Sequence, residues 1–282
     1  QDPILSRKKI LVVDANLNKG NDRTWCFWEE PNGEFDSILS KTWEKAFIGN
    51  QDFQQSFEMN PYLYKMIRSS DFYKLVFDTI STKSNFTFIN DEILSWKTTG
   101  NSVEITGKNQ TYFGSFLLNS FFDVNPILNQ NKYPYLKQHF IGWFIKTKEA
   151  IFDDSEVKFM DFTIEQNGNT RFMYVLPTSK TEALFEYTLF SEDLLEKSEY
   201  EKAIQNYLEN LGITDYEIVE KESGNIPMTC FPFYKQNSER ILFIGTAGGW
   251  TKASTGFTFF NSKKQAGKLV EFLKTNQNLI LI

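Results

Sequence analysis

At 282 residues the chain is long enough for one large domain or two ordinary ones with a sizeable core. Its 41% hydrophobic and 23% charged residues exclude a disordered, collagen-like or coiled-coil protein. A net charge of -6 argues against nucleic-acid binding, two distant cysteines (Cys26, Cys230) against a disulfide framework, and one histidine (His139) against a histidine-built metal site or triad. Acid–base chemistry therefore falls to carboxylates. The 28 Phe, 12 Tyr and 6 Trp are enough ring surface to line an apolar ligand cavity as well as a core. No stretch of 18 apolar residues predicts a membrane-spanning helix. The opening QDPILSRKK has no signal-peptide core and no initiator Met, so the chain is expected to begin inside a longer gene.

In chain order, Lys9 to Asp14 (KILVVD) predicts a buried parallel strand ending in an acid. Asp14 is placed to hold a ribose hydroxyl, with an ordinary strand-to-turn corner as the alternative. The strand, GxGxxG turn and helix that precede such an acid in a complete dinucleotide-binding unit do not stand before Ile10. Next, Asn21 to Trp28 sets two Trp and a Phe beside Asp22 and Arg23, in a functional loop or a packed β-turn. Residues 60–80 carry Tyr64, Ile67, Phe72, Leu75, Val76 and Ile80 at helical spacing, predicting at least one helix, with Ser70-Asp71 as a cap for a second segment. Residues 86–119 predict a β-meander that returns to a buried strand near Phe116 to Ser120.

From 133 to 190 four aromatic-rich strands follow one another, predicting an antiparallel sheet with a very apolar face. Residues 193–211 predict a helix ended by Gly212, and ESGNIPM (222–228) follows it. The last strand, Arg240 to Gly245, runs into Thr246-Ala247-Gly248-Gly249 and Ser254-Thr255-Gly256, with a helix from Phe259 to Leu273. Glycines at a strand end let a ligand approach the backbone, and a helix opening after them attracts an anion. That points to a flavin or nucleotide site, against a tight corner without ligand.

Two acids stand inside aromatic strands, Asp161 and Glu186. Alternation puts Glu186 on the face of Leu184 and Thr188. An acid facing an apolar cavity loses hydration and keeps its proton, which suits a general acid, whereas an edge-strand carboxylate would sit ionised in water. Asp123, Glu165 and Glu222 are lesser candidates. His139 suits a satisfied strand histidine, and both cysteines suit small buried hydrophobes better than nucleophiles.

Together NDRTWCFW, QHFIGWFI, FMDF, FMYVLPTSKTEALFEYTLFS, ESGNIPM and IGTAGGWTKASTGFTF resemble the lycopene cyclase family, of the bacterial flavin-dependent type, from about Lys9 to Phe260. The resemblance implies an α/β (α+β) fold: a Rossmann-like FAD/NAD(P)-binding domain of glutathione-reductase/hydroxylase type with an inserted antiparallel-sheet substrate domain. It implies residues 1–125 as a partial FAD-binding domain with a helical segment near 60–80, 126–235 as the substrate domain, and 236–282 as the return to the FAD-binding domain. Glu186, in the family's Glu-x-Thr, is implied as the essential acid, and Asp161, matching the Asp of its M-D-F segment, as a second catalytic residue. Asp14, Arg23, Gly245, Thr246, Gly248, Gly249, Thr255 and Gly256 are implied as cofactor contacts, with no metal. Reduced FAD, NAD(P)H as reductant, lycopene as substrate and peripheral membrane contact in a bacterial cytoplasm follow from the same resemblance. The chain departs from the family in the missing GxGxxG, in Thr246 where many related flavoproteins place an Asp, and in stopping at Ile282, so it is expected to be truncated at both ends. Another flavoprotein of this fold (a monooxygenase or polyprenyl reductase), a non-enzymatic carotenoid or lipid carrier, and an inactive fragment are the alternatives.

Overall fold

The computed structural model describes residues 2–275, so residue 1 and the end of the expected 236–282 segment lie outside the described residues. The period-two patterning of the chain yields strands throughout. β1 (Ile10–Asp14), β2 (Thr24–Glu29) and β3 (Lys41–Trp43) come first, then the hairpin of β4 (Lys45–Gly49) and β5 (Gln54–Glu58). β6 (Leu63–Arg68) runs directly into helix α1 (Ser69–Ser81). β7 (Phe86–Asn90), β8 (Ile93–Thr99), β9 (Ser102–Gly107), β10 (Thr111–Gly114) and β11 (Leu117–Asn119) lead to a single helical turn, α2 (Asn125–Leu128). β12 (Tyr135–Thr147), β13 (Glu156–Asp161), β14 (Arg171–Pro177) and β15 (Glu182–Ser191) precede helix α3 (Lys197–Asn210). β16 (Tyr216–Thr229), β17 (Ile241–Phe243) and helix α4 (Phe259–Leu273) complete the order.

Three layers position everything else. The central one is a seven-stranded sheet ordered β16-β12-β15-β14-β13-β4-β5. On one face lies α3, burying Tyr200, Ile204, Tyr207 and Leu208 against Trp143, Met173, Phe185 and Tyr187. On the other lies the antiparallel sheet β2-β6-β3, which brings Trp43, Tyr64 and Met66 against Phe144, Leu176 and Leu184. The aromatic strands of 133–190 thus divide their rings between two faces. β4 and β5, from the expected 1–125 segment, complete the sheet built by residues 135–229.

A second region holds the parallel pairs β1–β7 and β11–β17 and the antiparallel meander β10-β9-β8. Val13, Ile89, Trp96, Val103, Ile105 and Ile241 give these strands one core. The meander matches the sequence expectation, and β1 is parallel as expected, although its Leu11 is 42% exposed. Leu269 of α4 packs on Leu242 of β17, while Phe259 at the start of α4 stacks on Phe27 of β2 at 5.1 Å.

Three expectations are corrected, and one segment without an expectation is placed. Residues 63–68 are strand, not helix, because β6 pairs with both β2 and β3 and buries Tyr64 and Met66; α1 begins at Ser69, so Ser70-Asp71 falls in its first turn. Tertiary pairing overrides the helical-looking spacing. The Trp-rich segment is β2, a regular strand, whose Trp25 and Phe27 face α1 and α4 while Cys26 and Trp28 face the seven-stranded sheet. ESGNIPM lies inside β16, an edge strand, which is where Pro227 is tolerated. Gly245–Gly248 form a 3-10 turn, and no α-helix opens until Phe259.

The face of Asp161 is decided by a bulge. Strict alternation along β13 would place it with Val157 and Phe159, facing β2-β6-β3. The register slips between Lys158 and Asp161, one extra residue enters β13, and Asp161 turns to the α3 face opposite Met173. There its carboxylate accepts from Tyr207 Oη at 2.5 Å, from Thr163 Oγ1 at 2.6 Å and from the Thr163 N–H at 3.0 Å. Removing the phenol would leave a buried carboxylate short of one donor. Tyr207→Phe should therefore cost about 1–3 kcal/mol. Urea denaturation checks this, and an unchanged midpoint would refute the role of Asp161 as the tie between β13 and α3.

Candidate active site

The site grows from one row across the seven-stranded sheet. Glu186 of β15 stands opposite Gly142 of β12, which stands opposite Glu222 of β16, so the two acids flank a glycine on one face. Their Cα atoms are separated by two strand spacings, about 9.5 Å, yet the side chains meet in a hydrogen bond. Gly142 makes this approach feasible. A Cβ there would lie 2.8 Å from Leu184 Cδ1, 3.2 Å from Glu222 Cγ and 3.5 Å from Glu186 Cβ.

The two carboxyls are held differently. Thr188 Oγ1 donates to Glu186 Oε1 at 2.6 Å, and Glu186 is only 8% exposed. Thr24 Oγ1, from β2, donates to Glu222 Oε2 at 2.7 Å. Arg68, at the end of β6, donates to Thr24 Oγ1 at 3.1 Å, pairs with Glu220 at 2.6 Å and lies 4.1 Å over the Phe144 ring. Burial, then the negative charge of Glu222, pushes Glu186 up to about 8. Burial also raises Glu222, against the pull of Thr24 and Arg68. The Arg68 guanidinium stands behind the donor to Glu222, whereas only a neutral threonine donates to Glu186, so the proton is favoured on Glu186.

Aromatic rings enclose this pair. Tyr174, opposite Glu186 on β14, hydrogen-bonds through its hydroxyl to that of Tyr64. Trp28 lies 4.8 Å from Tyr64 and Phe159 lies 6.0 Å from Tyr174, centroid to centroid. Burial lifts both phenols well above their ordinary range and pushes up the Cys26 thiol on the same face, so none of the three is an anion at neutral pH.

Other expected residues lie elsewhere. Asp161 is on the opposite face and is not brought to Glu186. His139 is on that face too, bonded to Ser191 Oγ and Tyr200 Oη, and burial lowers its pKa, as suits a satisfied strand histidine. Cys230 is exposed. Asp123 accepts from the Asn125 N–H at the start of α2, and Glu165 is exposed. Asp14 ends β1 and accepts from Lys19 Nζ at 3.0 Å and the Asn16 N–H at 2.8 Å. Arg23 is anchored by its backbone to Ser69, with its side chain exposed beside Asp22.

The glycine segment sits at the carboxyl end of parallel β17, where α/β sheets receive ligands. Gly245 and Gly249 adopt φ of +60° and +71°. A Cβ on Gly248 would lie 2.3 Å from the Phe243 carbonyl oxygen. Thr246, Thr251 and Thr258 form a ladder of hydroxyls. Gly256, at φ +74°, presses against Gln138 of β12, where a Cβ would come within 2.0 Å of Oε1. Phe257 then enters the aromatic enclosure, stacked on Phe159 at 6.5 Å. Three buried polar atoms around this segment lack partners: Asn119 Nδ2, Gln138 Oε1 and Thr255 Oγ1. Bare backbone at a strand end and orphaned donors and acceptors together fit a polar cofactor. Sequence reasoning missed Thr24, Arg68, Gly142, Tyr64 and Tyr174; the one sequence signal was a glycine in an otherwise bulky strand.

A family model described as "Lycopene cyclase protein" matches residues 6–279. A search of curated proteins by sequence finds no match. Among solved structures, the chain is similar to a geranylgeranyl bacteriochlorophyll reductase-like protein from Thermoplasma acidophilum (TM-score 0.68, 10% identity, 95% of this chain and 72% of that one). It is also similar to a single-residue variant of HpxO from Klebsiella pneumoniae, complexed with FAD (0.64, 10%, 98% and 83%), and to a tryptophan halogenase from Shewanella frigidimarina (0.62, 11%, 96% and 64%). At these identities the likeness is one of fold, and it agrees with the α/β architecture expected from sequence.

The raised acid has a stability consequence. Between its ordinary pKa of 4.5 and about 8, the folded chain holds a proton at Glu186 that the unfolded chain has released. The stabilisation is full below the lower value and is lost as pH rises through the upper one. Glu186→Gln should flatten that decline, read as urea midpoints at about pH 6 and about pH 9. Parallel declines in both proteins would contradict a neutral Glu186.

Proposed function

This chain belongs to the lycopene cyclase family, and from it we propose a flavoenzyme that closes the ψ end groups of lycopene to β rings without net redox change. The observation that carries this reading is Glu186 buried among rings, with no cation beside it among the described residues, which favours its protonated form. An alkene is a very weak base, so its protonation requires an acid that is un-ionised, desolvated and fixed in place. Glu186 delivers its proton to the terminal alkene carbon, and an internal double bond attacks the resulting cation. The rings of Trp28, Tyr64, Phe159 and Tyr174 cluster on this face of the sheet and would stabilise positive charge through their π-systems. Loss of a ring proton then completes an isomerisation.

FAD, in its reduced form with NAD(P)H as reductant, is the cofactor of this reading. Gly245, Thr246, Gly248, Gly249, Thr255 and Gly256 would hold it, with Asp14 and Arg23 toward its distal part. When bound it supplies electron density that steadies a nearby cation. Asp161, tied to Tyr207 behind the sheet, positions β13 rather than touching substrate. A carotene resides in the bilayer, and among the described residues no helix is long and apolar enough to cross a membrane. The reading therefore includes peripheral contact from the bacterial cytoplasm.

Expression of the chain in lycopene-accumulating cells tests the proposal by pigment analysis. Cyclic carotenes should form, and Glu186→Gln should lower their formation by at least about 100-fold with flavin content unchanged. Ring formation retained in that variant would overturn the assignment. Net oxidation or reduction of the substrate would mark a different flavoenzyme of the same fold.

A further inference from the structure

We propose that Glu222 is the base of the same reaction: it takes the ring proton from the cyclised cation and returns it to Glu186 across their shared hydrogen bond over Gly142. This rests on the cyclase reading above. The geometry separates the two acids by role. Glu186 receives a hydroxyl donor from its own strand, Thr188. Glu222 receives Thr24 from the facing sheet, and behind Thr24 stands the Arg68 guanidinium. A cation behind the donor to one acid and none recorded at the other makes Glu222 the group that carries negative charge. The two stand on one face of one row, within hydrogen-bond reach of each other. A substrate end group lying on that face meets a donor and an acceptor side by side.

The step balances within the pair. The Glu186 O–H bond breaks and the terminal alkene π pair forms the new C–H bond. The internal π pair forms the ring C–C bond. A ring C–H bond breaks, its electrons form the ring double bond, and its proton goes to the Glu222 carboxylate. That proton then passes to the Glu186 carboxylate. Protons and electrons are unchanged overall, as an isomerisation requires, and no co-reactant is consumed. The arrangement also explains why an acid as costly to bury as Glu222 stands beside Glu186 at all.

The test compares Glu222→Gln with Glu186→Gln in the FAD-loaded chain, using lycopene in vesicles. Glutamine keeps the volume and a hydrogen-bond acceptor but cannot take up a proton. The expected result is a fall in kcat of at least about 100-fold in Glu222→Gln with little change in KM. The titratable groups that face Glu186 are Cys26, Tyr64, Tyr174 and Glu222, while Arg68 and Glu220 act on Glu222. Of these, Glu222 opposes Glu186 ionisation most directly, so the alkaline limb of the rate–pH profile should move to lower pH in Glu222→Gln. The shift reports the electrostatic pairing of the two acids, and the loss of kcat at unchanged KM reports the base. Wild-type kcat in Glu222→Gln overturns the inference while leaving Glu186 as the acid; full activity in Glu186→Gln overturns the cyclase reading beneath it. Should Glu222→Gln fail to fold, lycopene deuterated at the carbon that loses its proton decides with the wild-type chain in ordinary water. Label reappearing at the newly protonated carbon supports the return of the proton, and complete loss of label to solvent overturns it.

Discussion

The central constraint is the burial of two carboxyl groups between two sheets. Two carboxylates so placed cannot both be ionised, since desolvation and mutual repulsion act together. One proton held between them relieves both costs. Which acid keeps it is settled by what each touches: a threonine of its own strand for Glu186, and a threonine backed by Arg68 for Glu222. The small sheet β2-β6-β3 is therefore more than a cover. It brings Thr24 and Arg68 to the acids and supplies Trp28 and Tyr64 to the rings around them.

The seven-stranded sheet shows how one set of residue types serves two purposes. On the α3 face three buried ionisable side chains are tied to partners: Asp161 to Tyr207 and Thr163, His139 to Tyr200 and Ser191, Arg171 to Tyr187 and Asn169. Satisfied buried groups of this kind fix a helix on a sheet. On the other face the acid pair is satisfied chiefly by itself and two threonines, with rings rather than cations around Glu186. The chemistry lies in that difference of surroundings, not in the residue types.

Several features were legible in the sequence for physical reasons. Glu186 was placed on its face by alternation alone, because β15 runs regularly from Glu182 to Ser191. The span of α4 and the glycine ending α3 followed from helical periodicity and capping. Asp161 was not legible, because a bulge reverses facing without changing the hydrophobic pattern. Residues 63–68 were not, because pairing with β2 and β3 decides their state. Glu222 could be named only as a lesser acid, since its pairing with Glu186 depends on the register of two strands about β12 and on a missing side chain at Gly142.

The loop from Thr255 to Phe257 joins the two halves of the reading. Gly256 can lie against Gln138 only because it has no side chain, and its left-handed backbone turns the chain there. That turn leaves the Thr255 hydroxyl buried without a partner on the side of the glycine segment. It sends Phe257 the other way, onto Phe159 in the acid enclosure. A polar group occupying the glycine segment and a hydrocarbon occupying the enclosure would thus press on adjacent residues of one short loop. On the proposed reading, cofactor and substrate would thus be linked by direct contact through this loop, without a longer path between them.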